Sequence, residues 1–253
     1  MTSLDVPALS FPKIALVTGG GSGIGKATAA RLAALGSTVI VGYNSRREQA
    51  EAVAAELPGD GHLCLRISVE DTASIAAAAS AVDAKFGRLD ALINCGGATV
   101  PVPANDLDGL TDAIFDRTVA INLRGPFAVV RAFRPLLERG SEAAVVNISS
   151  IAARTGIGSS LAYLAAKAGV DALTIALAKV LAPHIRVFSV SPAGVDTDFV
   201  PGRTREQLQK TAERLPLAHI TTPDDVARAV VACIVNLTSS TGIVVPVDEG
   251  RHL

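Results

Sequence analysis

Tyr163 and Lys167 are the residues of this chain whose spacing points most directly to chemistry. They lie four positions apart in a stretch of strong helical periodicity, so their side chains share one helix face. A phenol has an ordinary pKa of about 10, and a neighbouring ammonium lowers that pKa. The pair could then exchange a proton with a carbonyl or alcohol oxygen. Such a pair is also a common accident of helix surfaces, so it decides nothing alone.

Two further polar residues extend this candidate set. Ser150 follows a segment that reads as a buried strand, at the end where α/β sheets bind ligands, and its hydroxyl could polarise a carbonyl oxygen. Asn122 interrupts an apolar helical stretch and is a candidate buried amide, whose simpler role is to satisfy backbone groups. The predicted catalytic set is therefore Asn122, Ser150, Tyr163 and Lys167.

A glycine-rich turn, TGGGSGIG at 18–25, lies between the first predicted strand and the first predicted helix. Glycines let the backbone approach a pyrophosphate, and the helix N-terminus offers free N–H groups and the positive end of its dipole. A merely flexible turn would carry similar residues. The position of this turn at the start of a β-α-β unit favours dinucleotide binding.

The segment after the second predicted strand bears on the choice between NAD and NADP. It reads Gly-Tyr-Asn-Ser-Arg-Arg over 42–47, with no acid before Glu48. An acid here would bind the ribose 2′-hydroxyl, whereas Asn44, Ser45 and Arg46 could hold a 2′-phosphate. Alternatively, Ser45 caps the next helix and the arginines are solvated. We expect NADP(H) to be favoured, with NAD(H) left open.

Short Val- and Ile-rich segments alternate with Ala-rich segments of helical period, which predicts a parallel sheet with right-handed crossovers. The predicted strands are Ile14–Thr18, Val39–Tyr43, Leu63–Ile67, Ala91–Asn94, Ala144–Ser149, Arg186–Val190 and Ile243–Val247. The predicted helices are Gly25–Leu35, Arg47–Leu57, Thr72–Phe86, Thr111–Glu138, Leu161–Leu181 and Pro223–Asn236. We expect one domain over 13–253 after a flexible segment 1–12, with a substrate lid at about 191–220 that holds a short helix near Arg205–Arg214.

Composition excludes several other classes of protein. A formal net charge of −1 without a basic stripe gives no sign of nucleic-acid binding. Three scattered cysteines form no disulfide framework, and the four histidines form no ligand-spaced pair, so we expect no metal. No signal peptide is evident, and no apolar run approaches the roughly 20 residues of a membrane span. We expect a cytoplasmic protein that binds a small molecule.

Five features in order resemble the short-chain dehydrogenase/reductase family, and the resemblance extends from Lys13 to about Gly250. They are TGGGSGIG at 18–25, NCGG at 94–97, Asn122, the Ser150–Tyr163–Lys167 set, and PAGVDT at 192–197. The resemblance implies an α/β, Rossmann-type doubly wound parallel sheet of about seven strands, with helices on both faces. It also implies assembly as a homotetramer, with a homodimer as the alternative.

The resemblance implies a role for each residue of the set. Tyr163 would be the acid/base, Lys167 would lower its pKa and bind the nicotinamide ribose, Ser150 would polarise the substrate oxygen, and Asn122 would hold a water in a proton relay. Taken with the glycine turn and the end of the second strand, it gives a cofactor site of Gly19, Ser22, Gly23, Ile24, Gly25, Tyr43, Asn44, Ser45, Arg46, Ser68, Val69, Asn94, Gly96, Tyr163, Lys167, Pro192, Gly194, Val195 and Thr197.

Several positions depart from the family pattern. Cys95 stands in place of a second Asn, and Gly96 in place of an Ala. Ala193 and Glu249 each stand where the family usually has glycine. Three further positions bear on the cofactor: Ser68 replaces an Asp that contacts adenine, Tyr43 replaces the acid of NAD-preferring members, and Ser22 replaces the Arg of many NADP-preferring ones.

The expected activity is hydride transfer between a nicotinamide cofactor and a carbonyl or secondary alcohol; a non-catalytic NAD(P)-binding regulator is the alternative. The substrate is open among a 3-oxoacyl thioester, a sugar, a polyol and a ring alcohol. Arg203, Arg205 and Arg214 in the lid could meet an anionic substrate or could be solvated charges.

Overall fold

The chain folds around one parallel sheet in a computed structural model that describes residues 10–253; most of the expected flexible segment 1–12 lies outside them. The strands are β1 (Ile14–Thr18), β2 (Thr38–Tyr43), β3 (Leu63–Arg66), β4 (Ala91–Asn94), β5 (Ala144–Ile148), β6 (Arg186–Pro192) and β7 (Ile243–Val247). The helices are α1 (Gly23–Ala34), α2 (Arg47–Glu56), α3 (Thr72–Phe86), α4 (Asp112–Val119), α5 (Gly125–Leu137), α6 (Ala152–Thr155), α7 (Leu161–Leu181), α8 (Arg205–Ala212) and α9 (Pro223–Val235).

The strands form a seven-stranded parallel sheet in the order β3-β2-β1-β4-β5-β6-β7. The chain winds outward from β1 to β3 and then returns to place β4 on the other side of β1. Open α/β sheets bind ligands outside the carboxyl ends of their strands, at such a reversal. The doubly wound architecture predicted from the sequence is confirmed, and the topology fixes where a site belongs.

The sheet is buried on both faces because successive residues of each strand point to opposite sides. On β4, Ala91 and Ile93 join a core beneath α1 and α9, whereas Leu92 joins the core beneath α3 and α5. Phe188 and Phe133 are the largest fully buried side chains of the two cores. Ala, Val, Leu and Ile side chains fill most of the rest of both cores.

The single helix predicted over Thr111–Glu138 is wrong in its middle. Five residues, Ala120–Arg124, form a π-helical turn between α4 and α5. A π turn inserts a residue into the helix and is frequently found at functional sites, and this one contains Asn122. The short helix α6 was also missed, because a four-residue turn carries no periodic pattern.

Helix α7 contradicts the expectation that no apolar run approaches the length of a membrane span. It has 21 residues, and an 18-residue window within it reaches a mean hydropathy of 1.5. The value is high because alanine counts as apolar while covering little surface. The helix packs on β6 and carries the buried polar side chains of Lys167 and Thr174, as a core helix of this fold does.

Asp90 connects several chain segments at the amino ends of the strands, opposite the cavity. Its side chain is buried and accepts hydrogen bonds from the backbone N–H groups of Lys13, Ile14 and Ser141, each at 2.9 Å. Arg88 pairs with the same carboxylate at 3.2 Å. This one acceptor ties the start of β1 to β4 and to the segment before β5.

Replacing Asp90 with alanine should lower the free energy of unfolding by about 3 kcal/mol, because three backbone donors would lose a buried acceptor. Urea denaturation followed by circular dichroism measures the change. Asp83→Ala is the matched control: it removes an exposed ion pair with Arg139 at 2.6 Å and should cost less than about 1 kcal/mol. Equal losses in the two variants would refute the assignment.

Candidate active site

A cavity of about 900 Å³ opens at the carboxyl ends of the strands, across the reversal between β1 and β4. It contains most of the residues that the sequence assigned to a site. Those that line it are Gly19, Ser22, Gly23, Ile24, Tyr43, Asn44, Ser45, Arg46, Val69, Gly96, Ser150, Tyr163, Lys167, Pro192, Gly194, Val195 and Thr197. Four assigned residues, Gly25, Ser68, Asn94 and Asn122, lie behind this lining instead.

The glycine turn has backbone geometry that larger residues would not accept. Gly19 has φ +65°, and a Cβ on it would lie 3.0 Å from Cα of Gly96. A Cβ on Gly25 would lie 2.1 Å from the carbonyl oxygen of Gly19, so Gly25 packs the turn from behind. The turn therefore stays thin, and its backbone forms the floor of the cavity.

The N-terminus of α1 faces this cavity with its N–H groups available. Ser22 occupies the N-cap position in an extended conformation, and its side chain makes no capping hydrogen bond. No acidic side chain lies in the first turn of the helix. Uncapped N–H groups and the helix dipole suit a phosphate, so the residues present fit the pyrophosphate of a dinucleotide.

The backbone at Cys95 and Gly96 ties two strands together beside the cavity. The N–H groups of Cys95 and Gly96 donate to Oγ1 of Thr18 at 3.1 and 3.0 Å, which fixes the ends of β1 and β4 together. Burial raises the pKa of the Cys95 thiol to about 12, so it stays protonated. The position contributes backbone donors rather than side-chain chemistry.

The end of β2 leaves its polar side chains free to meet a ligand. Helix α2 begins at Arg47 with Arg46 as its N-cap and no side-chain capping bond, so the alternative that Ser45 caps this helix is wrong. Arg47 pairs with Glu51 at 2.7 Å, whereas Arg46 has no ion pair within residues 10–253.

Two of the predicted cofactor residues lie behind the cavity lining and make hydrogen bonds within the scaffold. Ser68 is buried, and its N–H donates to Oγ of Ser74 at 3.0 Å. Asn94 donates to Oδ1 of Asn147 at 2.9 Å, and Asn147 in turn donates to Thr174 at 3.0 Å on α7. This buried network holds α7 against β4 and β5.

Tyr163 lies in the cavity wall with its ring 5.9 Å from that of Phe199, centroid to centroid. Burial raises the pKa of Tyr163 to about 12, while the Ser150 hydroxyl and the Arg203 guanidinium act in the opposite direction. Burial outweighs the charges nearby in this geometry, and a lowering of the pKa by Lys167 stays a prediction. The phenol is therefore protonated across the neutral pH range.

Lys167 is buried directly behind Tyr163. Its Nζ donates to the carbonyl oxygen of Ile148 at 2.7 Å and lies 5.6 Å from the centre of the Tyr163 ring. Burial lowers the pKa of Lys167 to about 8, against the smaller opposing effects of Cys95 and Asp171. A lysine with this pKa can gain or lose a proton near neutrality.

Asn122 is fully buried in the π turn, with one half of its amide satisfied. Its Nδ2 donates to the carbonyl oxygens of Ala98 at 2.7 Å and Thr118 at 2.9 Å. Its Oδ1 has no hydrogen-bond partner and would lie 2.9 Å from a Cβ on Gly97. The backbone role foreseen from the sequence accounts for the nitrogen only, and the oxygen is free to accept.

Ala193 and Glu249, which stand where the family usually has glycine, follow the ends of β6 and β7. Ala193 does not have a positive φ, and its N–H donates to the carbonyl of Val247 at 3.1 Å, so glycine is unnecessary. Glu249 has φ +57°, a conformation that favours glycine. Its side chain accepts from Thr221 at 3.1 Å and its carbonyl from Leu217 at 3.2 Å, which hold it there.

The predicted lid at about 191–220 includes the last two residues of β6, the segment that carries Phe199, and all of α8. Reasoning from the sequence missed Arg251, which lines the cavity from the C-terminal end of the chain. No sequence motif marks that arginine; the neighbouring Gly250 packs against Pro216, where a Cβ would lie 2.8 Å from Cγ of the proline. Within residues 10–253, no three His, Cys, Asp or Glu side chains form a metal-binding group.

Comparisons with known proteins agree with this geometry. A family profile described as enoyl-(acyl carrier protein) reductase matches residues 19–252. The chain is 39% identical to D-threitol dehydrogenase of Mycolicibacterium smegmatis, over 87% of this chain and 84% of that protein. It is 37% identical to cis-4-hydroxycyclohexanecarboxylate dehydrogenase of Sinomonas cyclohexanicum, over 94% of this chain and 96% of that protein.

Solved structures give the same result. The crystal structure of 3-ketoacyl-(acyl-carrier-protein) reductase from Brucella melitensis, complexed with NADH, superposes with a TM-score of 0.86. It is 31% identical and covers 95% of this chain and 98% of its own. The chain therefore belongs to the short-chain dehydrogenase/reductase family and is an NAD(P)-dependent oxidoreductase acting on carbonyl and alcohol groups.

Proposed function

We propose that this enzyme interconverts a ketone and a secondary alcohol with NADP(H), and that Tyr163 exchanges the proton. The observation that carries the proposal is the convergence of Tyr163, Ser150 and Lys167 on the wall of the cavity whose floor is the glycine turn. A bound nicotinamide would supply or accept the hydride. The side chains of this protein then have only to orient the substrate oxygen and move its proton.

In the reducing direction, the Tyr163 hydroxyl donates its proton to the oxygen of the ketone as that oxygen gains negative charge. The raised pKa of Tyr163 suits this step, because a buried phenol remains protonated at neutral pH. Ser150 lines the same wall and stabilises the developing charge with its hydroxyl. In the oxidising direction the tyrosine must first lose its proton, so basic pH favours that reaction.

Lys167 and Asn122 are proposed to help return a proton to the Tyr163 oxygen after it has donated its own. With a pKa of about 8, Lys167 can pass a proton near neutrality. The free Oδ1 of Asn122 is a buried acceptor that can position a water molecule. Both groups are fixed by hydrogen bonds to backbone carbonyls, which keeps them pre-organised.

The preference for NADP(H) rests on the end of β2. Asn44, Ser45 and Arg46 line the cavity with no acid beside them, and Arg46 has no ion pair within the described residues. A guanidinium and two hydrogen-bonding groups match a 2′-phosphate. Ser22 adds no charge, so the arginine supplies most of the selectivity.

The relatives indicate the range of substrates to test: a polyol, a ring alcohol with a carboxylate, and a 3-oxoacyl thioester. A small-molecule substrate fits the cavity of about 900 Å³, which must also hold the dinucleotide. The proposal includes a cytoplasmic homotetramer, or a homodimer, without a nucleic-acid or membrane partner.

Tyr163→Phe should lower kcat for ketone reduction at least about 100-fold, because it removes the proton donor and little else. A spectrophotometric assay of NADPH oxidation with a panel of ketones measures it. The affinity for NADPH, measured by thermal shift, should stay close to that of the wild type and serves as the control. Full turnover by this variant would refute the role of Tyr163; no turnover by the wild type would favour a non-catalytic regulator.

Lys167→Met should abolish activity and yet stabilise the fold by up to about 3 kcal/mol below pH 8. The folded pKa of Lys167, about 8, lies below its ordinary value of 10.5, so burial of the ammonium costs stability in full below pH 8. The cost fades as pH rises to 10.5, and the advantage of the variant should fade with it. Urea denaturation at several pH values measures this, with Lys179→Met on the exposed part of α7 as control. A gain that is the same at pH 7 and pH 10 would contradict it.

Tyr43→Asp should shift the cofactor preference toward NADH by about tenfold or more, because a carboxylate there repels a 2′-phosphate. Kd values for NADPH and NADH, from fluorescence titration of the wild type and the variant, give the ratio. Tyr43→Phe is the neutral control and should keep the wild-type ratio. A wild type that binds NADH more tightly than NADPH would overturn the proposed preference.

A further inference from the structure

Two arginines form the boundary between the main cavity and a smaller one of about 180 Å³. Arg203 from the lid and Arg251 from the C-terminal segment line both cavities; we call them the arginine pair. Ala193 and Gly194 are the other two residues that the cavities share. The pair therefore lies at the junction of the two cavities, beside the segment that follows β6.

The arginine pair has no acidic partner within 4 Å among residues 10–253. The acids that line the main cavity are either paired with other arginines or exposed. Glu70 pairs with Arg117 at 3.4 Å, Asp196 pairs with Arg205 at 3.6 Å, and Asp198 is exposed. The result is a local excess of positive charge in a partly enclosed space.

The surroundings of Arg203 make this excess costly. Its Nη2 donates to the carbonyl oxygen of Val195 at 2.7 Å, but its Nε is buried and has no hydrogen-bond partner. Burial lowers the pKa of Arg203 most strongly; Tyr163 and Asp196 raise it by smaller amounts, and the charge of Arg251 adds the smallest lowering effect. Two like charges held together in a cavity wall are relieved by an anion.

We infer that the substrate carries a carboxylate, bound by Arg203 and Arg251 at the junction of the two cavities, while its carbonyl lies at Tyr163. This inference rests on the proposed function, whose substrate class it narrows. A planar guanidinium can hold a carboxylate through two parallel hydrogen bonds. The ring of Phe199, 5.9 Å from that of Tyr163, offers an apolar surface to the hydrocarbon between the two polar ends.

A matched pair of ligands separates this role from a structural one. The bond from Arg203 to Val195 shows that this arginine also holds the lid, so its removal could weaken every substrate equally. 4-oxocyclohexanecarboxylate and its amide have nearly the same shape and differ in charge. A role in anion recognition affects the acid alone.

Isothermal titration of the NADP⁺ complex with each ketone measures binding without turnover. The acid should bind the wild type about tenfold more tightly than the amide, the value of one good charged hydrogen-bond pair. Arg203→Met and Arg251→Met should each remove most of that preference while leaving the affinity for the amide nearly unchanged. Arg214→Gln, an exposed lid arginine outside both cavities, is the control and should keep the preference.

Equal affinity for acid and amide, no binding of either, or equal weakening of both by the variants would overturn the inference. Turnover assays with NADPH and the same two ketones keep it apart from the proposed function. Reduction of both ketones with no preference would leave the oxidoreductase mechanism intact and refute the carboxylate site. Selective binding of the acid without turnover would support the carboxylate site and count against the oxidoreductase mechanism.

Discussion

The site depends on two hydrogen bonds that hold α7 against the carboxyl end of β5. Nζ of Lys167 donates to the carbonyl of Ile148 at 2.7 Å, and Oγ of Ser149 donates to the carbonyl of Lys167 at 3.2 Å. Together they fix the helix against the strand in both position and rotation. Tyr163, one helical turn earlier, is thereby held on the same side as Ser150. A shift of α7 by one residue relative to β5 would rotate the Tyr163 side chain away from the cavity.

This arrangement buries most of the Lys167 side chain and lowers the pKa of its ammonium group, which costs the fold stability. The free oxygen of Asn122 and the raised pKa of Tyr163 have the same character: polar groups left incompletely satisfied at the site. Away from the site, buried backbone groups have partners, as the N–H groups that donate to Asp90 show. Such a division is expected when a fold gives up stability at its active site for pre-organised chemistry.

Much of the architecture could be predicted because local patterns reflect local physics. All seven strands appear within two residues of their predicted bounds, since a buried parallel strand reads as a short apolar run between turns. The π turn at Asn122 could not be predicted, because five residues are too few for a periodic pattern to reveal a change in the type of helix. The length of the apolar stretch in α7 was misjudged, because a few polar residues such as Lys167 and Asp171 interrupt a sequence that is otherwise apolar.

The sequence by itself determined the chemistry available: the glycine turn, the four-residue spacing of Tyr163 and Lys167, and the absence of an acid at the end of β2. These follow from residue type and short-range spacing, which backbone geometry converts directly into position. Only the tertiary structure decided the electrostatics, because burial and distant charges set them. The phenol became less acidic rather than more, and Arg251, remote from Arg203 in the chain, came to share a wall with it.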